Sequence, residues 1–287
     1  MYFEYWNLRE SPFQNVSDPR YMYFSDQHQE ALARLLYLVE GNKLGGMLVG
    51  PYGVGKSMVL ESLSKKVRDR GNSRFLLMDA SRTGVFPLAK KILRGLGCSE
   101  NVYDATEVLE VVEAICNESR NEPSRLVLAI DEAHLLREAA TFEFLHLLSN
   151  VRLRRNNGSP AEPAVTLILS GHNELLAEAQ ADGALCQRLQ MVWRLQPLNR
   201  EQTIEYVQSR IRVAGGDMWI FEEGALTELH KASGGIPRVI NNLCDVAMVM
   251  GAADQAAKLD ADIVRRAVEE VNPALCPAQT APGENRT

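Results

Sequence analysis

The octapeptide Gly50-Pro51-Tyr52-Gly53-Val54-Gly55-Lys56-Ser57 constrains this chain more than any other stretch. It matches G-x-x-x-x-G-K-[S/T] and lies between two periodic segments. Upstream, Leu44–Gly50 reads as a buried strand; downstream, Lys56–Arg70 has helical apolar spacing (Met58, Val59, Leu60, Leu63, Val67) and is ended by Gly71-Asn72. Each residue type has a physical task. Gly50, Gly53 and Gly55 let the backbone turn tightly and approach an anion with no Cβ in the way. The exposed N–H groups and the helix N-terminus then face the phosphates of a nucleotide. Lys56 is expected to reach the β- and γ-phosphates, and Ser57 to ligate Mg2+. Pro51, Tyr52, Val54 and, one residue further into the helix, Met58 complete the expected ATP-binding set. The competing reading, a glycine-rich turn before an ordinary helix, needs a chance match of roughly one per cent by average residue usage, and the strand–loop–helix context lowers it further.

A second motif supplies what the loop lacks. Leu126-Val127-Leu128-Ala129-Ile130 is an apolar strand that ends in Asp131-Glu132-Ala133-His134, the Walker B form. In a parallel sheet that strand end opens onto the same edge as the phosphate loop. Asp131 is expected to hold the magnesium through water, and Glu132 to orient and activate the attacking water. Alone, the pair reads equally well as a sheet terminus with solvated charges. Asp-Glu-Ala-His also occurs in helicases, but a second motor domain does not fit the remaining residues, so His134 reads as a structural contact.

The 287 residues suit a core plus a smaller partner domain. Strand-like and helix-like segments alternate from Met47 to Leu195, and the strands Leu44–Gly50, Arg74–Met78, Leu126–Ile130, Val165–Ser170 and Met191–Leu195 are mostly apolar throughout. That pattern predicts an α/β fold, a parallel five-stranded sheet sandwiched by helices. Helices are predicted at 86–96, 106–119 and 140–152, with a loop at 156–163. After Pro197 the strands stop, and Arg200–Val213, Glu222–Ala232, Pro237–Met250 and Ala261–Val271 read as helices. The expected domains are therefore a nucleotide-binding core with its N-terminal segment at 1–198, an all-helical lid at 199–271 and a disordered tail at 272–287. Five cysteines without a C-x-x-C pair argue against a zinc ribbon or a disulfide framework and fit reduced thiols in a cytoplasmic setting. No apolar run approaches the roughly 20 residues that cross a bilayer, and the start lacks the form of a signal peptide, so membrane attachment is expected only through partners. The net charge of −6 argues against a dedicated nucleic-acid surface. Arg152-Leu153-Arg154-Arg155 is a local exception: three arginines that could meet phosphates, or that sit at a helix C-terminus where positive charge is favoured.

Taken together, these residues resemble the ExeA/GspA-type AAA+ ATPases of secretion and pilus biogenesis, related to MshM and allied to the MuB/TniB transposition ATPases. The resemblance is carried by Tyr5-Trp6-Asn7-Leu8-Arg9-Glu10-Ser11-Pro12-Phe13, Asp18-Pro19-Arg20, the stretch from His28 to Tyr37, Leu147-Leu148-Ser149-Asn150, Ser170-Gly171-His172-Asn173-Glu174-Leu175, Gln187-Arg188-Leu189 and Gly235-Ile236-Pro237-Arg238-Val239-Ile240-Asn241. It implies a P-loop AAA+ fold with a helical lid, ATP hydrolysis, a homo-oligomer, and protein partners of a secretion, pilus or polysaccharide-export apparatus at the inner membrane. By the resemblance Arg238 is the sensor-2 arginine that reaches the γ-phosphate, and a guanidinium suits that contact. Arg188 resembles the arginine that acts on a neighbouring subunit's ATP. Relatives commonly carry Gly-Gln-Pro-Glu-Leu where this chain has Gly171-His172-Asn173-Glu174-Leu175, which makes His172 a candidate sensor 1, with Ser170 as the competitor. Pro12, Phe13 and Tyr23 would lie near the adenine, though core packing explains them equally well. Secretion members continue into a transmembrane helix and a peptidoglycan-binding domain. This chain ends soon after the lid and reads as a short form, so cell-wall binding does not transfer. DNA association of the transposition kind is the alternative function, and nucleic acid is not favoured as a partner.

Overall fold

The structure is a computed structural model that describes residues 2–16, 18–71, 73–81, 84–98, 104–118, 124–154 and 161–271. In chain order the elements are α1 (Tyr2–Tyr5), α2 (Asp26–Glu40), β1 (Gly45–Val49), α3 (Lys56–Arg70), β2 (Ser73–Asp79), α4 (Val85–Gly95), α5 (Ala105–Asn117), β3 (Arg125–Asp131), α6 (Ala139–Ser149), β4 (Arg152–Leu153), β5 (Glu162–Pro163), β6 (Val165–Gly171), α7 (Glu174–Ala181), α8 (Gly183–Cys186), β7 (Met191–Arg194), α9 (Arg200–Val213), α10 (Glu223–Ser233), α11 (Pro237–Ala253) and α12 (Ala261–Glu270). They divide into two compact units, one of Asp26–Gly50 and Lys56–Leu195, the other of Met1–Ser25, Pro51–Gly55 and the chain from Gln196 on.

The first unit is built on a five-stranded sheet in the order β2-β3-β6-β1-β7, with every pairing parallel. β1, β3 and β6 are buried along their whole length. Parallel strands need covered faces, so their sequences run continuously apolar instead of alternating. Helices α2, α3 and α6 pack on β1, β2 and β6, and Leu128, Leu167, Ile92, Leu93 and Leu145 join one apolar core. The chain crosses from β1 over two strands to β2, and β7 returns to the far side of β1. All five strands run the same way, so the carboxyl ends of β1, β3 and β6 share one edge. The register pairs Val49 with Gly171 and Ile130 with Leu169.

One predicted helix ends early. The spacing predicted a helix over 140–152, but α6 stops at Ser149, and Arg152-Leu153 pairs antiparallel with Glu162-Pro163 inside the predicted loop. The cause is local. The Arg152 guanidinium turns back to donate to Ser149 O at 3.0 Å, occupying a terminal carbonyl of α6, while Ala164 N donates to Val151 O at 2.9 Å and starts the small ladder. Arg155, residues 156–160 of the predicted 156–163 loop and the 272–287 tail lie outside the described residues.

The second unit is helical. A capping box opens α9, with Asn199 and Gln202 satisfying each other's backbone N–H groups. The N-terminal segment, grouped with the sheet core in the sequence reading, packs here instead. Trp6 is buried and its Nε1 donates to Met248 O at 2.9 Å. The Phe13 ring meets Phe221 edge-on. The buried Arg210 guanidinium donates to Pro12 O at 2.6 Å, Gln14 O at 2.9 Å and Tyr206 Oη at 2.9 Å, so its charge is fully engaged by oxygens. Aromatic burial and this arginine explain why the segment follows the helices. Among the described residues no helix is long and apolar enough to cross a membrane.

Leu128, fully buried in β3, should lose about 2–5 kcal/mol when truncated in Leu128→Ala. Leu147→Ala on the exposed face of α6, where Leu147 is 44% exposed, should stay within about 0.5 kcal/mol. Urea midpoints of the two variants, at unchanged slope, check both values.

Candidate functional site

The glycine-rich loop turns because two of its residues take up positive φ, Gly53 at 74° and Gly55 at 106°. The left-handed region strains any residue with a Cβ. Gly53 also has no room for one: a Cβ there would lie 2.6 Å from Arg238 Cβ, in the same helical unit, where Arg238 N donates to Gly53 O at 3.4 Å. Val54 is buried and Tyr52 is exposed. At the end of the turn α3 begins at Lys56.

Within the sheet unit, Lys56 is 5% exposed and its Nζ donates to Gly50 O at 2.9 Å, tying the two ends of the loop sequence together. The next residue reaches a carboxylate. Ser57 Oγ donates to Asp131 Oδ2 at 2.5 Å. Ser170 Oγ, wholly buried at the end of β6, donates to Asp131 Oδ1 at 2.8 Å, and Glu132 N donates to the same oxygen at 2.9 Å. Three donors therefore hold a carboxylate that is only 4% exposed, as burial of an anion requires. Glu132, Lys56, Ser57, Asp131 and His172, expected from the sequence to act together, all belong to this one sheet edge. Met58 follows on α3, half-buried, with its carbonyl accepting from Ser62 Oγ.

Glu132 is strained. Its φ of 52° and ψ of 31° place a non-glycine residue in the left-handed region directly after β3, at a cost of about 1–2 kcal/mol. The turn sends the chain into a 3-10 segment, Ala133–Leu135, and brings His134 back to the carboxylate it follows: His134 Nδ1 lies 3.4 Å from Glu132 Oε2. His134 and His172 meet edge-on with ring centroids 4.7 Å apart. Gly171 allows this approach, because a Cβ there would sit 3.1 Å from His134 N and 3.3 Å from its Nδ1. Burial, then the Lys56 and His134 charges, push the His172 pKa down to about 4, so its imidazole is neutral at pH 7.

Other expected residues lie elsewhere. Arg188 follows α8, two residues before Gln190, whose N–H donates to Gly45 O at the start of β1. It thus sits toward the amino edge of the sheet, opposite Asp131, and beside Arg152. Arg238 is exposed at the start of α11. Phe13 and Tyr23 pack in the helical unit, Tyr23 edge-on to Tyr206 with its hydroxyl donating to Glu205 at 2.7 Å. Of the arginine cluster, Arg154 pairs with Glu113 at 2.7 Å and Arg152 caps α6. The sequence reading gave His134 only a structural contact and left Ser170 as a competitor. The Asp-Glu-x-His spacing signalled the first; nothing in the sequence shows that the Ser170 hydroxyl turns toward Asp131.

Residues 39–177 match the AAA domain family. With the parallel sheet and the loop-to-helix junction after β1, that match places an AAA domain of the P-loop fold in this part of the chain. It is similar to General secretion pathway protein A of Aeromonas hydrophila, 30% identical over 281 residues, which are 95% of this chain and 49% of that one. The chain therefore spans about half the length of that relative, and the likeness runs along almost all of this chain. Among solved structures, the ORC2 protein of Aeropyrum pernix, in ADPNP and ADP complexes, superposes with a TM-score of 0.68 at 18% identity over 91% of this chain and 71% of that one. Cdc6p from Pyrobaculum aerophilum gives 0.63 at 17% identity over 89% and 71%. At such identities the likeness is one of fold.

If the Glu132 backbone is strained for the sake of its side chain, Glu132→Asn, a residue that tolerates left-handed φ, should unfold at equal or higher denaturant, by up to about 1 kcal/mol. Glu132→Val should lose about 1 kcal/mol or more. Equilibrium unfolding of both variants decides this, and a more stable Glu132→Val would remove the strain from consideration.

Proposed function

We propose that this chain is a magnesium-dependent ATPase whose nucleotide cycle serves a secretion-related assembly. The observation that carries the reading is the convergence of Ser57 Oγ and Asp131 Oδ2, 2.5 Å apart, beside the buried Lys56 at the start of α3. A hydroxyl and a carboxylate oxygen are the hard donors that a hydrated Mg2+ takes, and few protein ligands suffice because the ion keeps its waters. When bound, the ion neutralises charge that builds on the β- and γ-phosphate oxygens.

The chain's own groups then divide the work. The N–H groups of Gly50, Pro51–Gly55 (apart from the proline), Lys56, Ser57 and Met58 bind the phosphates, and Lys56 Nζ leaves Gly50 O for the β/γ oxygens. Glu132 accepts a proton from water as that water's oxygen bonds to the γ-phosphorus and the bond to the β-phosphate oxygen breaks, giving ADP and phosphate. Ser170 fixes Asp131 in place, and His172, neutral, offers one N–H toward the reacting phosphate; both remain sensor-1 candidates. Arg238 meets Gly53 of the loop through its backbone, which supports a sensor-2 role for its guanidinium. The amino-edge position of Arg188 supports a role on a second copy's nucleotide, and hence a homo-oligomer.

The secretion reading rests on the relative named above and on the acidic balance of the chain. DNA association of the transposition kind is disfavoured because Arg152 and Arg154 already serve the sheet unit internally. Attachment to an inner membrane would come through protein partners.

Glu132→Gln should keep ATP binding and lower turnover by about 10²–10⁴-fold, measured as phosphate release with excess Mg2+. Lys56→Ala should abolish stabilisation by ATP, read as loss of the nucleotide-dependent rise in Tm. Full turnover by Glu132→Gln would unseat the base, and undiminished ATP stabilisation of Lys56→Ala would unseat the site.

A further inference from the structure

We propose that Glu132, His134 and His172 form a transition-metal site, matched to Zn2+, in which the cation captures the carboxylate that would otherwise activate water. One ligating atom from each of the three residues lies within 4.8 Å of those of the other two. Glu132 and His134 are closer still, 3.4 Å between Oε2 and Nδ1. Bonds of about 2.0–2.1 Å in a tetrahedral zinc site place ligand atoms roughly 3.3 Å apart. The Glu132–His134 edge already has that separation. His172 has to close on the pair by a side-chain rotation, with no change of strand.

The scaffold is of the kind that holds a metal. The three ligands come from two segments, the turn after β3 and the first residue after β6, and those strands are direct neighbours in the sheet. Two backbone features and one ring contact serve the cluster. The left-handed Glu132 folds the chain back so that the side chains of residues 132 and 134 meet. Gly171 leaves space for the His134 ring. The edge-on packing of His134 and His172 limits both rings to one arrangement.

The donor set selects the ion. Two imidazoles and one carboxylate suit Zn2+, and the fourth position stays open. Mg2+ needs oxygen and holds its water, so it belongs with Ser57 and Asp131 one residue away. Lys56, whose charge reaches His172, opposes a cation here; the carboxylates of Glu132 and the adjacent Asp131 offset it. Once one of its oxygens is coordinated, the Glu132 carboxylate shares its negative charge with the cation and becomes a much weaker base toward water. The site is thus a zinc brake on turnover. The braking rests on Glu132 acting as the base; the metal site itself does not.

The test uses the full chain without nucleotide, in magnesium-free buffer, titrated with Co2+ and then Zn2+. Visible d–d absorption of low-coordinate Co2+ should grow to one equivalent, without a sulfur charge-transfer band, and Zn2+ should displace it. His134→Gln and His172→Gln should each weaken binding at least tenfold, while Cys98→Ser should not. Absence of the bands, or bands that persist in a His134→Gln/His172→Gln double variant, would overturn the site. In a second arm, phosphate release under saturating Mg-ATP is measured against free Zn2+, each protein normalised to its own zinc-free rate. The unsubstituted chain should be inhibited at zinc levels at least tenfold lower than His172→Gln. Equal sensitivity would overturn the brake. No turnover before zinc is added would count against the ATPase reading instead, and the cobalt spectrum would still decide the metal site.

Discussion

The Asp131 carboxylate is the point on which the sheet edge depends. It is buried, and a buried anion persists only when its oxygens are engaged. Its donors come from three separate places: Ser57 at the start of α3, Ser170 at the end of β6 and the N–H of Glu132. The two serines therefore fix α3 and β6 against β3, and the Glu132 N–H fixes the turn that leaves it. The register of the parallel sheet makes this possible, since Val49 pairs with Gly171 and Ile130 with Leu169. A one-residue slip in any of these strands would turn a serine hydroxyl away from Asp131 and leave the charge unsatisfied.

The left-handed turn at Glu132 follows from the same arrangement. Asp131 accepts from the N–H of Glu132, which directs the chain sharply out of β3, and no glycine relieves the turn. The strain persists because the sheet on one side and the 3-10 segment on the other both determine it. A residue in such a conformation usually marks a position where side-chain chemistry outweighs backbone comfort. Here the side chain is the carboxylate that the ATPase reading makes the base.

How far these features were legible in the sequence varies by physical cause. The strands could be read because burial on both faces forces continuous apolar runs, and α3 could be read to the residue because the loop's glycines and Gly71 mark both ends. The helix at 140–152 was read too long: the apolar spacing gives no sign of the stop at Ser149, which is marked by the local return of Arg152 to Ser149 O and by the long-range bond from Ala164 N to Val151 O. The N-terminal segment escaped for a similar reason. Trp6, Phe13 and Tyr21 announce burial without saying against what, and the buried Arg210 that binds Pro12 O and Gln14 O lies about 200 residues further along the chain. At the candidate site, Lys56, Ser57, Asp131 and Glu132 were legible because their motifs are local in sequence. His134 and Ser170 were named too, as a structural contact and a sensor-1 competitor, but the directions of their side chains toward Glu132 and Asp131 were not legible, because they depend on neighbouring strands.

Two donor sets diverge from adjacent residues at this edge. Asp131 looks toward hydroxyls, and Glu132 toward imidazoles. Alternation along a strand would place consecutive side chains on opposite faces, but the left-handed turn ends that alternation and keeps both carboxylates at the edge. The consequence is chemical separation at very short range: oxygen donors that favour a hard, hydrated ion beside nitrogen donors that favour a softer one. A glutamine in place of His172 would keep the first set and lose a ligand of the second. A single substitution after β6 therefore changes which cations the edge can distinguish, while the three donors that hold Asp131 remain in place.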